Sequence, residues 1–107
     1  MPGRDNLVIF SGTVYKEPRR SVSPSGIPHC QFILEHHSRH IEAGFNRRVW
    51  CWIPIVINGK IEQNIAQCIV IGVSLNIQGF LCSYKGRHGL YKIVLHAKKI
   101  ALIESGD

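Results

Sequence analysis

Acidic side chains are scarce in this 107-residue sequence. Seven Asp and Glu stand against thirteen Lys and Arg, a formal charge of +6 at pH 7. Such an excess suits a polyanionic partner, most often nucleic acid; it can also be a solubilising surface. Long apolar runs are missing as well. No stretch approaches the roughly 18 residues that a membrane helix needs, so no membrane contact is expected. The opening Met1-Pro2-Gly3-Arg4-Asp5-Asn6 lacks the apolar core of a signal peptide, which makes the cytoplasm the expected compartment. CxxC spacing is absent from the four cysteines at 30, 51, 68 and 82. That weakens zinc-ribbon and redox readings. Each cysteine stands in an apolar pattern, beside Phe32, Val49, Ile69 or Leu81, and reads as a buried thiol, with no disulfide expected. There is no glycine-rich phosphate loop, HExxH or GxSxG, and nothing in the chain proposes a catalytic group, a metal or a cofactor. His36 and His40 have the i, i+4 spacing that binds metal on a helix, but they fall in strand and loop.

What the chain does have is concentrated between Phe45 and Trp52. Phe-Asn-Arg-Arg-Val-Trp-Cys-Trp holds both tryptophans, a phenylalanine and two arginines. On a strand, side chains alternate between faces. Val49, Cys51 and Ile53 then suit a core, while Arg48, Trp50 and Trp52 share the opposite face. Rings beside fixed positive charge stack on bases and neutralise phosphates, the chemistry of sequence-independent single-strand binding. The positive excess clusters at Lys16, Arg19 and Arg20, then Arg39, Arg47 and Arg48, then Lys85, Arg87, Lys92, Lys98 and Lys99.

The length predicts one domain spanning 1–107, with a core small enough for dimerisation to help. Leu7 to Tyr15 reads as a first strand, bent at Gly12. Arg19 to Pro28 is rich in Ser, Pro and Gly and reads as a loop. His29 to His37 alternates as a second strand, and the polar Ser38 to Asn46 reads as a long hairpin connection. A third strand covers about Arg47 to Ile57, with Pro54 placing it at an edge or bulge. After the Asn58-Gly59 turn, Ile61, Ile65, Cys68 and Ile69 form one stripe of a short helix, with Glu62, Gln63 and Gln67 on its wet side and Gly72 ending it. Leu75 to Cys82 is a fourth strand, Tyr84 to Gly89 a basic hairpin loop, and Leu90 to Ile103 a fifth strand whose period shifts near Lys98-Lys99, as at a bulge. A polar tail, Glu104 to Asp107, closes the chain. Three strands, a helix and two strands in about 100 residues is the order of an all-β OB-fold, a five-stranded Greek-key barrel with a short helix between strands three and four. In that fold strands two and three bind, flanked by the first and the last hairpin loops.

Several runs carry a closer resemblance. Leu7 to Val14, Val22-Ser-Pro-Ser-Gly-Ile-Pro-His-Cys-Gln-Phe32, Leu34-Glu35-His36, Ala43-Gly44-Phe45, Val94 to Ala97 and Ser105-Gly106-Asp107 resemble the primosomal replication protein N family (PriB) over essentially the whole chain. The resemblance implies a non-catalytic, homodimeric OB-fold that binds single-stranded DNA. It also implies a primosome component that stabilises complexes of the helicase PriA with DNA and helps recruit DnaT when stalled forks restart. By the same resemblance, DNA contacts fall on Phe45, Arg47, Trp50, Lys85, Arg87 and Lys92. The residues themselves add Arg48, Trp52 and Arg20. Two positions depart from the family pattern by lacking a basic residue, Ser21 and His37; an imidazole is mostly neutral at pH 7. Trp52 stays open between a DNA contact and a protein interface. The alternative function is an adaptor whose basic OB face docks an acidic protein partner.

Overall fold

The computed structural model describes residues 5–61 and 63–103. Met1 to Arg4, Glu62 and the tail from Glu104, with its Ser105-Gly106-Asp107 signature, lie outside that description, as does the side chain of Gln63. The elements are β1 (Val8–Val14), β2 (Arg19–Val22), β3 (Pro28–Glu42), β4 (Phe45–Asn58), α1 (Gln63–Cys68), β5 (Ser74–Lys85) and β6 (Tyr91–Leu102). The strands lie in the order β1-β5-β6-β4-β3-β2, and β1 also pairs with β3. That extra pairing closes β1, β5, β6, β4 and β3 into the expected five-stranded OB barrel, with α1 between β4 and β5. Inward positions of the ring are apolar. Val14, Leu34, Ile55, Ile69, Leu75, Ile77 and Leu95 are essentially inaccessible to water, and Phe32 and Ile57 nearly so. Ile69, last of the expected helical stripe, follows α1 directly, and Ile61 packs against the same core.

Closure has a local requirement at Gly12, where the bend was expected. A Cβ at this position would run into the backbone carbonyl of Glu35 and the side chain of Leu34. Only glycine lets β1 cross β3 this closely. The bulge expected near Lys98-Lys99 is present: Gln78 pairs with Lys99 and Gly79 with Ala97, leaving Lys98 as the extra residue.

Three expectations need correction. The stretch from Arg19 is not all loop, because β2 runs antiparallel to β3, with Arg19 opposite Gln31 and Val22 opposite Pro28. It continues the path of β1 along the same flank of β3, and only the turn after Val22 remains. All four β2 residues are exposed, so no hydrophobic alternation marks the strand. The connection Ser38 to Asn46 is likewise strand. β3 and β4 pair without interruption from His29–Asn58 to Glu42–Phe45. Their turn is Ala43-Gly44, with φ of 52° and 81°, the pair of positive angles a tight type I′ hairpin demands. Finally, β5 carries Tyr84 and Lys85, so the basic loop is shorter than expected. Both long hairpins extend beyond the barrel. The radius of gyration is 15.4 Å, against about 13 Å for a compact chain of this length.

Candidate nucleic-acid interface

The register of the β3–β4 hairpin builds the site. Residues directly opposite in an antiparallel pair put their side chains on one face. Glu35 faces Trp52, His37 faces Trp50 and Arg39 faces Arg48. On this outer face the His37 ring stacks on Trp50, with centroids 4.7 Å apart. Trp50 meets Trp52 edge-on at 6.2 Å, and Trp52 meets Tyr15 edge-on at 6.4 Å. The Trp52 indole N–H donates to Glu35 Oε2 at 2.9 Å, which fixes the ring. Trp50 remains 57% exposed and Trp52 47%. Leaving this much aromatic surface wet forgoes stabilisation of about 25 cal/mol per Å².

The ladder runs into a groove of about 730 Å³. Ile33, Pro54, Val56 and Val94 form its apolar floor. Lys16 and Arg19 flank it on the β2 side, with Glu17, and Tyr84 and Lys92 on the β6 side. Strand order explains the arrangement, because β3 and β4 lie between β2 and β6. The surface therefore offers rings in a row, an apolar trough and cations along both borders.

Of the expected residues, Arg48, Trp50, Trp52 and Lys92 share this outer surface. Phe45 and Arg47 do not. They occupy the alternate positions of β4, in phase with Val49 and Cys51, so they belong to the opposite face of the ribbon. Phe45, at the tip, is 76% exposed, and Arg47 forms an ion pair of 2.6 Å with Glu42. Lys85 pairs with Tyr91, one position out of phase with the groove-lining Tyr84 and Lys92, and Arg87 sits in the loop at the hairpin tip. Arg20 is in phase with buried Cys30 across β2 and β3. Its guanidinium donates to the carbonyls of Ala66 at 3.2 Å and Ile69 at 2.7 Å. These are end-of-helix acceptors that need a partner and favour a cation, so Arg20 ties α1 to β2. Of the two pattern departures, Ser21 lies on β2 opposite His29, and His37 is part of the ladder.

Tyr15, Lys16, Arg19, His37, Arg39 and Tyr84 join the site beside the residues singled out for DNA contact. The signal for His37 and Arg39 is the Ala43-Gly44 turn, which fixes the register back from Trp50. Arg19 follows once β2 is a strand, since it is the neighbour in phase with Gln31. All four cysteines are free thiols; Cys30 is buried and the other three are half-buried. Burial pushes the Cys30 thiol above its ordinary pKa, partly opposed by the charge of Arg20. Among the described residues no group of His, Cys, Asp and Glu is placed to hold a metal ion, and no helix is long and apolar enough to cross a membrane.

Residues 6–99 match the model of a family described as another single-strand binding protein family. The replication restart protein PriB of Erwinia tasmaniensis is 61% identical over 102 residues, covering 95% of this chain and 97% of the relative. Among solved structures, PriB from Ralstonia solanacearum superposes with a TM-score of 0.72 at 22% identity, over 92% of this chain and 98% of the other. A deletion variant of the single-stranded DNA-binding protein from Thermus aquaticus gives 0.77 at 18% identity, over 92% of this chain and 50% of that one. The two structural likenesses carry the barrel; the family match and the close relative carry more, and on them the chain belongs to the single-strand binding protein family, in its PriB replication-restart branch.

Proposed function

We propose that this protein binds single-stranded DNA without reading its sequence, stabilises PriA on DNA and helps recruit DnaT when stalled replication forks restart in the bacterial cytoplasm. One observation supports the DNA reading above the others: the ordered ladder of Trp50, Trp52 and His37 opens into a trough bordered by Lys16, Arg19 and Lys92. Bases stack on the rings while the phosphates follow the cations. Arg48 and Arg39 serve the upper end. Phe45, Arg47, Lys85 and Arg87 act at the two hairpin tips, where a strand leaving the outer face meets them. Arg19 takes the phosphate role first expected of Arg20. The PriA and DnaT roles rest on kinship with replication restart proteins.

The active form is a homodimer. Residues Val8 to Gly12 of β1 pair with β5, while β3 reaches only Thr13 and Val14. The outer half of β1 is thus an open strand edge, a template for pairing with another chain. Leu7 and Ile9 are exposed beside it.

Fluorescence anisotropy with labelled dT oligonucleotides tests the DNA reading. Tight binding is expected, with log K falling by about 0.7 per contacted phosphate for each tenfold rise in salt. Equal competition by duplex DNA would sink the proposal. An adaptor that uses the same face for an acidic protein would instead bind dT weakly and give PriA undiminished affinity.

A further inference from the structure

The outer surface does not end at the groove. Tyr84, on its border, bonds through its hydroxyl to His96 Nε2 at 2.8 Å. His96 stacks on Phe80, with centroids 4.9 Å apart and planes within 2°. The ammonium of Lys98 stands 5.9 Å from the centre of the Phe80 ring. Lys98 and Lys99 then line a second groove of about 440 Å³ with Lys60, Asn76 and Gln78. No carboxylate lines this groove among the described residues. The bulge matters here: the additional residue in β6 sets two lysines side by side at the end of the stacked rings.

We infer that the single-strand track continues from the first groove across Tyr84, His96 and Phe80 to a second phosphate subsite at Lys98, Lys99 and Lys60. This rests on the proposed single-strand function and extends its footprint. Two features favour a nucleic-acid strand over an acidic peptide. Tyr84 bonds to His96, His96 stacks on Phe80 and Lys98 stands over Phe80, so a row of rings leads from the first groove to the second, the kind of surface on which bases stack. The lysines stand at the far end of that path, where a continuing backbone places its phosphates. A footprint covering both grooves falls within the range of about 4–16 nucleotides that OB folds occupy.

The test compares Lys98→Gln/Lys99→Gln with the unaltered protein on two dT oligomers, of about 6 and about 16 nucleotides. Both lysines are exposed, and a matching melting temperature controls for folding. On the long oligomer the variant is expected to lose about 1.4 from the salt slope, two phosphates at about 0.7 each, which amounts to about 25-fold weaker binding at 0.1 M salt relative to 1 M. On the short oligomer, seated on the tryptophan ladder, the two proteins should agree. A second variant, Phe80→Leu, should likewise weaken the long oligomer alone. Unchanged affinity and slope on the long oligomer would overturn the extension and leave the single-strand function standing. Equal losses at both lengths would overturn it too, since the lysines would then act through the general field. So would loss of poly-glutamate binding with DNA binding intact, which would assign the lysines to an acidic protein. If the unaltered protein binds neither oligomer, the underlying DNA function fails along with its extension.

Discussion

The barrel body and the two hairpins that extend from it divide the labour of the molecule. Among the described residues the body holds every fully buried side chain, from Val14 to Leu95. The outer half of the β3–β4 hairpin holds none, and carries instead Trp50, the exposed Phe45 and three arginines. In the body, alternation separates core from water. In the hairpin it separates two wet faces, one with stacked rings and one with the Arg47–Glu42 pair. The difference implies that most of the stability is separable from binding here, because the fully buried side chains lie apart from the exposed rings and charges offered to a ligand.

The largest expected effect lies in the body. Leu34→Ala should cost about 2–5 kcal/mol of stability, read by denaturant unfolding, with near-normal dT affinity in the fraction that stays folded. A specific loss of affinity beyond unfolding would break the division. Next come two neighbours with opposite roles. Arg20→Gln removes charge-assisted bonds to the end of α1 and should cost about 1–2 kcal/mol of stability, reduced by the partial exposure of the pair. Arg19→Gln should leave the melting temperature alone and lower the salt slope by about 0.7. Interchanged results for the pair would refute the assigned phase of β2.

How much of this was legible before the structure depends on burial. The barrel order, the helix position and the bulge at Lys98 leave marks, because one face of each element is apolar and a lost phase shows. β2 and the stretch from Ser38 to Asn46 left none, since neither face of those segments is buried and the polar residues imitate loop. That gap hid the pairing of Arg39 with Arg48 and left Arg19 and Arg20 looking equivalent. The resemblance, not the alternation, groups Phe45 and Arg47 with Trp50. Their odd spacing from Trp50, visible in the sequence, puts them on the opposite face of the ribbon.

Two smaller tests address the hairpin tip and the core. Ala43→Asn should add about 0.5–1 kcal/mol, because asparagine tolerates the left-handed angles that alanine resists; dT affinity should not move. A destabilised variant would contradict the type I′ turn. Alkylation by iodoacetamide, followed by mass spectrometry of peptides, should reach Cys30 last, since burial raises its thiol pKa and hinders access. Cys30 reacting ahead of Cys51 or Cys82 would place it outside the core.

The central claim is that the ordered rings on the outer face bind bases while contributing little to folding. Titration of Trp50→Ala with a dT oligomer, paired with its melting temperature, tests this most directly. The account predicts a loss of about 1–3 kcal/mol in binding, roughly 5- to 150-fold by the 1.4 kcal/mol-per-decade relation, at an unchanged melting temperature. Wild-type affinity in the Trp50→Ala protein would contradict it.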